Sequence, residues 1–318
     1  MRALVIVLAV VSVLYLSVAL YFYNRRHRLL YGRGGVASTA ALASMRPEER
    51  PLPIAVDRLD CWLFRAPADI RTPFVMILCP GRYASKADYL TWVRAMQPCK
   101  FTLLLFDYRA ETLDERALLQ DAWKVYQYAF QSLAGRDARR LMVYGHSMGG
   151  VAACLLTQYA QTRYSRGLSM APLCTFLDST FSSFSSVLRA TRPYLYYPFS
   201  YILHPEEGEI AERVRHIRGA VRLLHCADDT TVPAQESRRI AEAADVRLVE
   251  YPTGGHFGCF SPARAHQTRE VILEAIATAI HARPVDARLL PGPSHRAPPE
   301  LWAIRPPRPH PPPPPQPT

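Results

Sequence analysis

Gly145-His146-Ser147-Met148-Gly149 sets a serine between glycines two residues away on each side. It follows the apolar run Leu141 to Tyr144 and precedes the helical apolar pattern of Val151 to Tyr159, so the serine falls on a strand-to-helix turn. A side chain at the tip of such a turn is held in a strained backbone conformation, and strand and helix approach so closely that the flanking positions need glycine. The turn lifts the hydroxyl clear of the sheet and leaves it at a helix N-terminus. Unpaired N–H groups and the positive end of the helix dipole there favour a developing oxyanion. Ser147 is therefore expected to be a nucleophile, with the Met148 N–H as an oxyanion donor.

A serine hydroxyl is a weak nucleophile until a base takes its proton and a carboxylate orients that base. Downstream, the run Val221 to Cys226 leads into Ala227-Asp228-Asp229-Thr230-Thr231-Val232-Pro233, a loop closed by a proline at a helix start. Asp229 is the candidate acid, with Asp228 beside it; an Asp-Asp pair also suits a turn or a helix cap. His256 follows the next strand-like run, in Pro252-Thr-Gly-Gly-His-Phe-Gly258, and of the ten histidines it alone has such a glycine-rich setting. The chain order serine, aspartate, histidine suits a triad on an α/β scaffold.

The elements that must hold these residues alternate between strand and helix. Strands are expected at Arg58 to Phe64, Phe74 to Cys79, Phe101 to Asp107, Leu141 to Tyr144, Leu173 to Leu177, Val221 to Cys226 and Val246 to Tyr251. Helices are expected at Tyr83 to Met96, Leu113 to Leu133, Val151 to Tyr159, Pro233 to Ala244 and Ala263 to His281. Such alternation specifies an α/β fold, a mostly parallel central sheet flanked by helices, with ligands beyond the carboxyl ends of the strands.

On these residues the chain resembles the α/β-hydrolases, and within them the serine-peptidase and monoacylglycerol-lipase-like branch with a small cap. The matching stretches are Gly145 to Gly150, Phe106-Asp-Tyr-Arg109, Leu177-Asp-Ser-Thr-Phe181, His225 to Pro233 and Gly255-His-Phe257, spanning roughly residues 55 to 281. Setting His225 and Val232-Pro233 on the family pattern selects Asp229 over Asp228; Asp178 is the substitute acid that some relatives use. The resemblance implies a first oxyanion donor just after the Phe74 to Cys79 strand. Where the family usually has His-Gly, this chain has Cys79-Pro80-Gly81-Arg82; a backbone N–H serves there, so Arg82 is the expected donor. Ala110 replaces the glycine that usually follows Asp-Tyr-Arg.

Beyond the catalytic body, Ala3 to Tyr23 carries no charge and is long enough to span a bilayer core of about 30 Å. Ser17-Val-Ala19 is a weak cleavage site, and an apolar run this long favours an uncleaved transmembrane anchor over a signal peptide. Arg25, Arg26, Arg28 and Arg33 follow the span and only Arg2 precedes it, so the positive-inside rule leaves the body cytoplasmic. Seven cysteines without regular spacing give neither a disulfide framework nor a zinc pattern, which agrees with a reducing compartment. The net charge of +11 gathers next to the span and in the last stretch, with no basic stripe of interleaved aromatics, so nucleic acid is not an expected partner. The expected organisation is an anchor at 1–24, a basic juxtamembrane linker at 25–54, a hydrolase domain at 55–283 with a small cap near 181–217, and a proline-rich tail at 284–318. That tail is read as solvated, or as a polyproline ligand for a protein partner.

The expected function is a membrane-anchored serine hydrolase that needs no cofactor or metal. The anchor and the aromatic-rich cap (Phe181, Phe184, Tyr194, Tyr196, Tyr197, Phe199) point to a lipid-like acyl ester or thioester: a monoacylglycerol, a lysophospholipid or an S-acyl protein. The alternatives are acyl transfer through the same triad and a non-catalytic tethered interaction protein on a hydrolase scaffold.

Overall fold

The computed structural model describes residues 2–32, 40–43, 45–71, 73–110, 114–165, 168–193 and 208–282. The proline-rich tail expected at 284–318 and the 194–207 part of the cap lie outside the described residues, as does Arg33.

Ten strands occur among the described residues: β1 Leu52–Val56, β2 Leu59–Phe64, β3 Val75–Cys79, β4 Thr102–Phe106, β5 Leu141–His146, β6 Tyr164–Ser165, β7 Leu168–Ser169, β8 Cys174–Asp178, β9 Ala220–Cys226 and β10 Leu248–Tyr251. Strands β6 and β7 pair only with each other, and the other eight form one sheet in the order β1-β2-β4-β3-β5-β8-β9-β10. From β4 to β10 every pairing is parallel; β1 with β2 and β2 with β4 are antiparallel. Strands β3, β4, β5 and β8 are buried at every position. That is why their sequences are predominantly apolar without alternation: helices cover both faces of a parallel sheet. The edge strand β1 is mostly exposed and contains Pro53, which an edge tolerates because it lacks a ladder donor.

The helices are α1 Arg2–Tyr31, α2 Ala40–Ala43, α3 Leu90–Met96, α4 Glu115–Tyr128, α5 Gly149–Gln161, α6 Phe184–Thr191, α7 Ile210–Arg215, α8 Gln235–Ala244 and α9 Ala265–His281. Every expected helix starts away from its expected residue, α4, α5, α8 and α9 by two residues and α3 by seven. The helix expected from Tyr83 begins at Leu90, after a short 3₁₀ turn over Lys86–Tyr89. Lys86 there is fully buried, with its ammonium 2.6 Å from both Asp107 and Asp60, and this ion pairing fixes the turn. Helix α4 starts at Glu115 because Asp114 caps it, accepting from the Ala117 N–H at 2.7 Å. Strand β1 begins at Leu52, and α1 runs unbroken from Arg2 to Tyr31.

In this order β3 is followed by β4 on one side and β5 by β8 on the other, so the connections that leave β3 and β5 run in opposite directions. The crevice beyond the carboxyl ends of β3 and β5 is the switch point of the sheet, where ligands of such folds bind.

Candidate active site

Ser147 stands in this crevice, directly after β5, with φ at +55°. The strained backbone is held by neighbours: the Ser147 N–H donates to the Asp178 carbonyl at 2.8 Å, and the Ser147 carbonyl accepts from the Thr180 hydroxyl at 2.7 Å. The glycines are needed for the reason the sequence suggested. A Cβ on Gly145 would lie 2.5 Å from the Gly149 carbonyl oxygen, and one on Gly149 would lie 2.0 Å from the Cys79 carbonyl oxygen.

Of the three candidate aspartates, Asp229 is the one at the His256 ring, with its Oδ2 2.8 Å from Nδ1. The other oxygen of Asp229 accepts from the Thr231 and Val232 N–H groups at 2.8 and 2.9 Å. Nε2 of His225 donates to the Val232 carbonyl at 2.8 Å and lies 3.3 Å from the same Asp229 oxygen that faces His256. Burial pushes the Asp229 carboxyl up, but the bonds to His225 and His256 and the His256 charge outweigh it and hold the group well below the usual carboxylate range. Asp228 turns outward and accepts from the Gly254 and Gly255 N–H groups at 3.0 and 2.8 Å, steadying the loop that carries His256. Gly254 and Gly255 both have positive φ, so the glycines before His256 serve a specific loop geometry. Asp178 is fully buried and engaged elsewhere, accepting from the Tyr144 hydroxyl at 2.7 Å and the Ser179 hydroxyl at 2.9 Å.

Two residues that the sequence did not single out join the pieces. Tyr89 accepts from the Gly81 N–H at 2.7 Å, and its hydroxyl lies 3.0 Å from Nδ1 of His146. Nε2 of His146 is 2.9 Å from the His256 carbonyl oxygen. A carbonyl only accepts, so Nε2 carries the proton and Nδ1 accepts from Tyr89. Neutral His146 therefore ties the Gly81–Arg82 loop, the nucleophile turn and the His256 loop into one chain of hydrogen bonds. Burial, and next the charge of His256, push the His146 pKa down to about 4, which keeps that tautomer neutral. No spacing rule would have found Tyr89, which lies 57 residues from His146 in the chain.

Of the two expected oxyanion donors, Met148 follows Ser147 in the chain and Arg82 lines the same cavity as Ser147. Among the described residues, neither the Arg82 N–H nor the Met148 N–H has a hydrogen-bond partner, so both are available to a ligand. Gly81 comes so close that a Cβ on it would lie 3.2 Å from the Ser147 Cβ. Ala110, the other departure from the family pattern, keeps a negative φ and needs no glycine. Ser147, Met148, Arg82 and His256 all line one cavity of about 510 Å³, whose other walls are largely apolar. Its size falls within the roughly 300–1,000 Å³ usual for small-molecule sites. The geometry suits acyl transfer: a serine on a strained turn, a histidine whose Nδ1 meets an ionised carboxylate, and two unpartnered N–H groups from residues on the same cavity.

No protein-family model matches the chain. It is similar to a protein of Salmonella typhi described as uncharacterized protein YfhR, at 27% identity over 194 residues. The match covers 57% of this chain and 63% of the relative, so the chain spans less than two thirds of that relative's length. Among solved structures it resembles Est1E from Butyrivibrio proteoclasticus, with TM-score 0.58 and 15% identity over 72% of this chain and 99% of that one. It also resembles the Pyrococcus furiosus esterase Pf2001, with TM-score 0.56 and 16% identity over 78% and 96% of the two chains. A third likeness is to a puromycin-hydrolyzing peptidase of Mycobacterium tuberculosis, with TM-score 0.57 and 17% identity over 77% of this chain and 40% of that one. By the order of its sheet and by these likenesses, the chain has the α/β-hydrolase fold.

Proposed function

We propose that the protein is a membrane-anchored serine hydrolase that cleaves a lipid-like acyl ester or thioester. The observation that carries the reading is the 2.8 Å contact between His256 and Asp229 beside the cavity that both His256 and Ser147 line. In the reaction, Ser147 Oγ attacks the acyl carbonyl and passes its proton to Nε2 of His256, while Asp229 holds Nδ1–H and stabilises the imidazolium. The N–H groups of Met148 and Arg82 receive the negative charge that forms on the carbonyl oxygen. Collapse of the tetrahedral adduct breaks the bond to the leaving alcohol or thiol, which takes the proton from His256. Water then repeats the sequence on the acyl-enzyme and returns Ser147 to its hydroxyl form.

The anchor reading is supported by α1, where the stretch Arg2–Arg26 contains an 18-residue window of mean hydropathy 2.8 and is long enough to cross a bilayer. Its last turns are built into the body, with Tyr31 only 1% exposed, which favours a retained helix over a cleaved signal. Arg25 over Tyr21 and Arg26 over Tyr23 supply the aromatic and basic belt of a membrane–water interface. The arginines after the span and the seven free thiols support a body on the cytoplasmic side. The apolar lining of the cavity favours an acyl chain as occupant. The test is turnover of p-nitrophenyl palmitate and acetate by the full-length protein in detergent micelles. The reading expects hydrolysis that favours the palmitate and is abolished by Ser147→Ala; turnover that survives Ser147→Ala, or that favours the acetate, counts against it.

A further inference from the structure

Helix α1 does more than approach the body: it forms part of the cavity wall. Phe22, Leu29 and Leu30 line the same space as Ser147 and His256. They recur at i, i+7 and i+8, one stripe of a helix, and cover about 12 Å along its axis. Phe22 lies inside the apolar stretch Arg2–Arg26, and Leu29 and Leu30 lie beyond it, so the stripe crosses from the proposed bilayer segment to the catalytic body. Facing it is α6, whose Val187, Leu188 and Thr191 also line the cavity. Leu188 packs with Phe22 against the buried Ala19 of α1.

Both walls are fastened. The Tyr31 ring meets the Phe184 ring edge-on, with centroids 5.3 Å apart. The Arg82 guanidinium donates to the Leu29 carbonyl, satisfying an end-of-helix acceptor from the residue whose own N–H is the expected oxyanion donor. Gly32 turns the chain out of α1 with φ +72°, and a Cβ there would lie 2.6 Å from the Arg82 side chain. On the other side, Ser183 caps α6, and Glu236 of α8 accepts from the Ser182 N–H at 3.0 Å and the Ser186 hydroxyl at 2.8 Å.

From this arrangement we infer that the anchor helix is itself a specificity element: α1 and α6 form an acyl channel that opens toward the bilayer. The scissile bond reaches Ser147 while the rest of a long acyl chain lies between Phe22 and Leu188. The inference rests on the serine-hydrolase reading above and adds to it the origin of chain-length preference. A helix serving only as a tether would need no apolar stripe on the nucleophile's cavity and no hydrogen bond to the oxyanion loop.

The test uses the full-length wild-type protein in phosphatidylcholine vesicles and a hexadecyl fluorophosphonate with a diazirine midway along its chain. Ser147 Oγ displaces fluoride from phosphorus, and illumination then joins the chain to whatever surrounds it. The expected cross-links fall on peptides that contain Phe22 or Leu29 of α1 and Val187 or Leu188 of α6. A Ser147 adduct whose cross-links avoid α1 overturns the channel and leaves the nucleophile intact. Absence of any Ser147 adduct removes the serine-hydrolase reading itself, and the channel with it. A second measurement compares kcat/KM for palmitoyl and butyryl p-nitrophenyl esters. Each buried methylene is worth roughly a fourfold factor, so Phe22→Trp, which fills the channel, is expected to lower the palmitoyl-to-butyryl ratio by roughly tenfold. Leu14→Trp, on the exposed part of the same helix, is expected to keep the wild-type ratio. An unchanged ratio in Phe22→Trp overturns the inference.

Discussion

Replacing Asp229 by asparagine separates the orienting acid from its neighbours, and the structure fixes how the new side chain must sit. The Thr231 and Val232 N–H groups point at one oxygen of the carboxylate, and as donors they require an acceptor there. The amide oxygen of the introduced side chain is therefore held at that place, and its NH2 turns toward Nδ1 of His256, 2.8 Å away in the native protein. An NH2 donating to Nδ1 forces the imidazole proton onto Nε2, the atom that must accept the proton of Ser147. In serine proteases the same change of tautomer costs about 10⁴ in kcat, or about 5 kcal/mol of barrier, and a loss of that order is expected here. The NH2 also faces the Nε2–H of His225 at 3.3 Å, donor against donor, which adds about 1 kcal/mol of destabilisation. The assay is the rate of fluorophosphonate labelling and of ester turnover, with folding checked by the denaturation midpoint. Asp178→Asn serves as the comparison: its carboxylate accepts from Tyr144 and Ser179 and not from His256, so its rate is expected to fall less than roughly tenfold. A folded Asp229→Asn protein within tenfold of wild type, or an Asp178→Asn protein equally impaired, refutes the assignment of the acid.

The same geometry fixes three further outcomes. His146 is buried and neutral, with a pKa near 4 against 6.5 when unfolded, so the unfolded chain binds a proton first as the pH falls. Stability is fully present above about 6.5, falls between 6.5 and 4, and is down by about 2 kcal/mol at pH 5; urea midpoints at pH 8 and 5 check this, and His146→Gln should reduce the pH dependence. Ser147→Gly removes a Cβ from a position with φ +55°, so it should stabilise the fold by about 1 kcal/mol while abolishing turnover, seen as a higher Tm in an inactive protein. Gly149→Ala drives a Cβ to 2.0 Å from the Cys79 carbonyl oxygen, where only backbone can give way. It should destabilise by roughly 3 kcal/mol or more, read from denaturant midpoints; a loss below about 1 kcal/mol would mean that the elbow is looser than described.

The parts of the site that are local in sequence were legible there, and the parts made by distant contacts were not. The nucleophile turn could be read because steric demands at Gly145 and Gly149 act within five residues of Ser147. The resemblance, through His225 and Val232-Pro233, selects Asp229 over Asp228, and the structure gives the spacing of that pattern a cause: the Val232 N–H binds the Asp229 carboxylate. The sheet was legible because its central strands are buried on both faces, whereas β1 escaped notice as a five-residue edge strand with a proline. Tyr89 could not be assigned a role, since its partners Gly81 and His146 come together only when β3 and β5 pair. Composition marked α1 as apolar but could not reveal that Phe22, Leu29 and Leu30 turn toward the cavity. That depends on Arg82 and Phe184, far along the chain.

The central claim is that Ser147 is an activated nucleophile, and covalent capture tests it most directly. Full-length protein is treated with a short-chain fluorophosphonate and digested, and the modified residue is located by mass spectrometry in wild type, Ser147→Ala and His256→Ala. The account predicts a single adduct on Ser147 in wild type, absent from both variants. A folded wild-type protein that forms no adduct, or an adduct that persists when His256 is removed, would contradict it.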